Sequence, residues 1–97
     1  MKLHPGCEAE YKRRHDALWP ELRILLKAAG IEDYSIFLDG ETNDLFGVLR
    51  IGDREQLDRL PTQAVMQKWW HYMKDLMDTN ADHSPVTRSL QEVFYLP

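Results

Sequence analysis

The apolar positions change period from one segment to the next, and each change predicts an element. From about Cys7 to Ala29 they keep helical spacing: Leu18, Leu22, Leu25 and Ala29 fall at the i, i+4, i+7, i+11 intervals of a buried stripe, and Gly30 stands where a helix closes. Pro20 interrupts this stretch. It has no N–H for the carbonyl of Asp16 and its ring crowds that turn, so a kink, or a break and restart, is predicted near Trp19. A period of two follows: Tyr34, Ile36 and Leu38 alternate with Ser35 and Phe37 as in a strand, residues 39–43 carry turn chemistry, and Leu45 to Ile51 forms the antiparallel partner. Gly47 within that partner marks a close approach to the sheet.

Asp53, three residues before Gln56, has the spacing of a capping box and predicts a short helix ending near Pro61, after which Thr62 is expected to cap the next helix. That helix carries Val65, Trp69, Met73 and Met77 at successive i+4 steps, widened by Met66 and Trp70. Residues 78–85 read as polar loop. Leu90, Glu92, Phe94 and Leu96 then alternate with Gln91, Val93 and Tyr95, which predicts a final strand. At the other end, Met1 to Leu3 supplies only a stub of strand before Pro5-Gly6.

Stub, helix, strand, strand, helices, strand is the split βαβ order of a ferredoxin-like α+β sandwich with a truncated first strand, one domain over residues 1–97. Helices on one face of a four-stranded sheet leave the other face bare. In so short a chain, pairing of those faces across a two-fold axis predicts a homodimer.

Composition narrows the partners. Twelve Lys and Arg against sixteen Asp and Glu give a net charge of −4, the wrong sign for a protein that neutralises phosphates, so nucleic acid is not expected. No apolar run approaches a membrane span and the N-terminus has no apolar signal region, so no membrane is expected either. Cys7 is the only cysteine, which fits a reducing cytoplasm. His4, His15, His71 and His83 have no metal-ligand spacing, so no metal is expected, and there is no phosphate-binding glycine loop or nucleophile motif.

The candidate chemistry lies on the first helix, where Tyr11, His15 and Trp19 are successive i, i+4 neighbours. A continuous helix would set the imidazole between two large rings. An aromatic stripe at helical spacing is most often core, and His15 is then a histidine with satisfied hydrogen bonds. With Tyr34, Trp69 and Trp70 added, however, the set has apolar bodies and polar tips suited to the C–H faces and hydroxyls of a sugar. The remaining charges read as solvated surface: Glu8 with Lys12, Glu10 with Arg14, and His71 with Asp75 are i, i+4 pairs.

Five motifs in order carry a family resemblance. They are Tyr11-x-x-x-His15-x-x-x-Trp19-Pro20-Glu21-Leu22, Tyr34 before a strand ending Leu38-Asp39, Trp69-Trp70-x-Tyr72-Met73, Ser84-Pro85-Val86, and the ending Leu90-Gln91-Glu92-Val93-Phe94-Tyr95-Leu96-Pro97. Over essentially the whole chain they resemble the L-rhamnose mutarotases. The resemblance implies a cytoplasmic, cofactor-free homodimer of the dimeric α/β-barrel type that interconverts the anomers of L-rhamnopyranose. It also implies His15 as the proton donor and Tyr11, Tyr34, Trp69 and Trp70 as the sugar-contacting residues. Two departures stand out. Family members carry a longer strand-forming stretch before the position of Met1, which raises the expectation of a start upstream, and His83 stands where asparagine is common.

Opening a hemiacetal ring takes an acid at the ring oxygen and a base at the anomeric hydroxyl; closing it on the other face of the aldehyde yields the other anomer. A histidine titrates in the right range for either task. His15 is assigned as the acid, with the base open between a tyrosine hydroxyl, a loop carboxylate and a water. A non-enzymatic ligand-binding module on the same scaffold and a cofactor-free monooxygenase are the competing functions.

Overall fold

Pro20 does break the first helical stretch. In the computed structural model, which describes residues 1–97, α1 (Glu8–Asp16) ends as the N–H groups of Ala17 and Leu18 turn back to the carbonyls of Arg13 and His15. Trp19 is extended (φ −60°, ψ 134°), and α2 (Pro20–Ala28) starts with proline at its first position, where a missing N–H leaves no helical carbonyl unpaired. On α2 the stripe buries Leu22 and, just past its end, Ala29, with Leu18 and Leu25 half-buried. Gly30 closes it at φ +84°, a conformation that favours glycine.

Next comes the hairpin, β1 (Ile31–Asp39) and β2 (Asp44–Ile51), a two-stranded antiparallel sheet. Its register pairs Ile36 with Gly47 and Leu38 with Leu45, but between Glu32 and Ser35 the pairing slips, so Asp33 and Tyr34 together oppose Leu49. This bulge, with Asp33 at φ +51°, bends the strand at Tyr34, a feature that simple alternation does not reveal.

The N-terminal stub lies against β2. Leu45 donates to the carbonyl of Met1 and Leu3 to that of Asn43, with an antiparallel bridge between Lys2 and Asp44. On its other side His4 donates to the carbonyl of Leu76, Asp78 to that of Lys2, and Leu3 bridges Met77. Backbone pairing therefore runs from β1 through β2 and residues 1–4 to residues 76–78. Leu3, fully buried, lies in the middle of this arrangement.

Asp53 caps α3 (Arg54–Asp58) by accepting the N–H of Glu55, one residue earlier than the Gln56 spacing predicts. Thr62 is not the cap of the next helix. Its hydroxyl donates back to the carbonyl of Arg59, closing a 3-10 turn over Leu60–Thr62, and Gln63 precedes α4 (Ala64–Met73). From α4, Met66, Trp69 and Met73 are buried, joined by Leu76 and Met77 beyond its end, while Val65 and Trp70 are half-buried.

The predicted final strand over Leu90–Leu96 is absent. Residues 86–97 pair with no strand, and Leu90, Val93, Phe94, Tyr95 and Leu96 are exposed. The reason is geometric: the alternation is present, but residues 76–78 hold the place beside the stub. An alternating segment that pairs with no edge leaves its N–H and C=O groups to solvent. The architecture is a small α+β fold, a two-stranded sheet flanked by four helices, with no helix long and apolar enough to cross a membrane.

Candidate active site

His15 lies one turn after Tyr11 on α1, with ring centroids 4.3 Å apart. Its Nδ1 donates to the carbonyl of Tyr11 at 2.9 Å. A carbonyl oxygen only accepts, so Nδ1 carries hydrogen in either charge state, and Nε2 is the nitrogen that gains or loses a proton. Burial pushes the His15 pKa below its ordinary value, against the raising effects of that hydrogen bond and of Asp16. Near neutrality the ring is therefore mostly neutral, with a lone pair on Nε2.

The second ring at His15 is Trp69, which meets it edge-on at 5.4 Å and 88°. An unbroken helix would have placed Trp19 there. The break before Pro20 carries Trp19 behind Trp69 instead, edge-on at 5.1 Å, where it also lies beside Tyr72 at 5.5 Å.

Tyr11, His15, Tyr34, Trp69 and Trp70 all line one cavity of about 780 Å³, of a size to take a small ligand. Tyr34 and Trp70 also line a second space of about 690 Å³ toward Arg88. Burial raises the pKa of the Tyr11 hydroxyl, with a further contribution from Tyr34, and burial likewise raises that of Tyr34, so both phenols stay protonated at neutral pH. At the rim Lys12 pairs with Asp16 at 2.7 Å, where spacing had suggested Glu8 as the partner of Lys12.

Gly47 is the close approach anticipated on β2. A Cβ built there would lie 3.5 Å from Cε1 and 3.6 Å from the hydroxyl oxygen of Tyr34. An alanine fits at such distances. Valine adds branches toward the ring, so Gly47→Val is expected to push Tyr34 aside and raise KM for a ligand of this cavity severalfold. Steady-state kinetics check this; an unchanged KM would place Tyr34 outside the binding surface.

Two surface pairings differ from the expected ones. Asp75 pairs with Arg14 rather than His71, and His71 packs edge-on against His83 at 5.1 Å. His4 meets the carboxylate of Asp78 at 3.0 Å and the carbonyl of Asp75 at 3.2 Å. His83 has φ +70°, a left-handed conformation that asparagine adopts more readily than most residues, which gives a physical reason for asparagine at this place. Pro85, at the end of the same loop and within the Ser84-Pro85-Val86 motif, lines the cavity but was not among the residues expected to contact the sugar.

A family model described as L-rhamnose mutarotase matches residues 1–96. An L-rhamnose mutarotase of Brucella anthropi is 55% identical over 97 residues, covering 100% of this chain and 92% of that protein. One of Sinorhizobium fredii is 56% identical over 96 residues, covering 99% and 92%. The crystal structure of an L-rhamnose mutarotase from Formosa agariphila superposes with a TM-score of 0.92 at 46% identity, covering 100% of this chain and 93% of that one. The chain belongs to the L-rhamnose mutarotase family.

Proposed function

We propose that this protein interconverts the α and β anomers of L-rhamnopyranose, with His15 moving the proton and Tyr11, Tyr34, Trp69 and Trp70 holding the sugar. The observation that carries the reading is the convergence of these five residues on one cavity, with the single imidazole bonded through Nδ1 so that Nε2 is left for substrate. Family membership supplies the sugar.

The tautomer bears on the base left open by the sequence. Both phenols keep their protons, Asp82 is engaged by Ser84, and Asp78 by His4. The free lone pair on Nε2 of neutral His15 supports the reading that this nitrogen, directly or through a water, takes the proton from the anomeric O1. As the C1–O1 double bond forms, the C1–O5 bond breaks, and the imidazolium, now the acid, protonates O5. Both oxygens are bonded to C1, so one ring nitrogen reaches each in turn. The aldehyde turns about C1–C2, and the reverse steps close the ring on its other face. The tyrosines donate hydrogen bonds to sugar hydroxyls, and the indoles offer apolar area to C–H faces. No electron is transferred, so no redox group is called for.

The spatial order β1, β2, residues 1–4, residues 76–78 supports a ferredoxin-like sheet of the dimeric α/β-barrel type with a short first strand. Exposed Phe37, Phe46 and Val48 on the hairpin, with the apolar tail, support a homodimer in which those surfaces are covered. Sedimentation at micromolar concentration should show a dimer; a clean monomer would contradict it. A cytoplasmic setting, where Cys7 stays reduced, belongs to the same proposal.

Polarimetry tests the function. Freshly dissolved α-L-rhamnose should reach its equilibrium rotation faster in proportion to added protein. Binding without acceleration would instead mark a ligand-binding module, and oxygen uptake a monooxygenase.

A further inference from the structure

Arg14 follows the spacing of a solvated ion pair, yet its side chain is 11% exposed, against 77% for Lys12. Its Nε donates to Glu10 at 2.8 Å within α1. Its Nη1 reaches the far end of α4, donating to the carbonyl of Tyr72 at 2.7 Å and to Asp75 at 2.9 Å, while Nη2 meets the other Asp75 oxygen at 3.3 Å. The guanidinium carbon also lies 4.3 Å from the centre of the Tyr72 ring. Carbonyls in the last turn of a helix lack partners within it, and Arg14 supplies one from a different helix.

This fastening matters because α1 has little else to hold it: the helix buries one side chain, Tyr11. His15 is the next residue after Arg14. Tyr72, under the guanidinium, lies 5.7 Å from Trp69, whose edge meets His15. We propose that Arg14 is a positioning residue, whose guanidinium ties α1 to the C-terminal end of α4 and so holds the His15 imidazole against Trp69. The inference rests on the assignment of His15 as the proton-transfer group. Arg14 touches neither the sugar nor the reacting atoms and acts only through His15. The carboxylate of Asp75 is held below its ordinary range, chiefly by Arg14, in keeping with a formed clamp.

Arg14→Met keeps the apolar stem and removes all of these bonds. Misplacement of a catalytic group by an ångström or less is costly, so kcat should fall ~10-fold or more, with KM changed far less. In the same variant the NMR titration midpoint of His15 should rise toward the ordinary imidazole value as its packing loosens. Arg14→Lys, a compact cation that cannot form the fork, should recover kcat only in part. Asp75→Asn leaves the Tyr72 and Glu10 bonds and should show a smaller loss of the same kind. If Arg14→Met does not fold, Asp75→Asn and Arg14→Lys decide alone. Folded variants with native kcat and a native His15 titration would overturn the proposal. If the native protein itself exchanges no L-rhamnose anomers, the functional reading fails, while the His15 titration in the variants still decides whether the clamp positions the ring.

Discussion

His15→Ala is expected to slow anomer exchange by ~10²-fold or more, the lower end of what general acid–base catalysis supplies, while leaving the chain folded. The fold survives because the ring is only half-buried and its one hydrogen bond is to its own helix, whereas the core is carried by Leu3, Leu22, Trp69 and Met73. The native pH–rate profile should fall on the acid side through a single ionisation lying below the ordinary imidazole pKa, because protonation removes the Nε2 lone pair that starts the reaction. Stability has a matching sign. With the folded-state pKa lowered, the unfolded chain takes up this proton more readily, so the contribution of His15 to stability is lost as pH falls through its unfolded pKa toward its folded one. The alanine variant lacks that loss, so its melting temperature relative to the native protein should improve between neutral and mildly acid pH. A folded variant with native exchange would make His15 structural.

Trp69→Ala is expected to be the most destabilising change at the site, costing about 3–5 kcal/mol, a large part of the ~5–15 kcal/mol that holds a typical domain folded. Trp69 is 5% exposed and its indole contacts His15, Trp19 and Tyr72 together, so its loss opens a cavity at the junction of α1, α2 and α4. Trp70 is half-buried and lines both cavities, so Trp70→Ala should instead chiefly raise KM, with a smaller loss of stability. Urea unfolding and steady-state kinetics on the pair separate the two roles. Equal stability losses with unchanged KM would make both tryptophans core and remove Trp70 from the sugar site.

Where local rules decide, the chain was legible. Pro20 forces the break between α1 and α2 through its missing N–H, Gly30 ends α2, and alternation finds β1 and β2. All five site residues identified from the sequence do line one cavity. Features that depend on distant partners were not readable. The bulge at Asp33 depends on the register of β2, and Trp19 leaves His15 for Trp69 because an extended residue changes the direction of the chain. Arg14 looked like solvated surface because its partners on α4, Tyr72 and Asp75, lie far along the chain. The alternation of Leu90 to Leu96 describes a side-chain pattern, whereas a strand also needs a pairing partner, and this segment pairs with none.

The central claim, that His15 drives exchange of rhamnose anomers, is tested most directly by saturation-transfer NMR on an equilibrium mixture of α- and β-L-rhamnose. Irradiating the anomeric proton of one form should, with catalytic amounts of protein, diminish that of the other in proportion to protein concentration, and His15→Ala at the same concentration should return the transfer nearly to that of buffer. Transfer no greater than in buffer with the folded native protein would contradict the account.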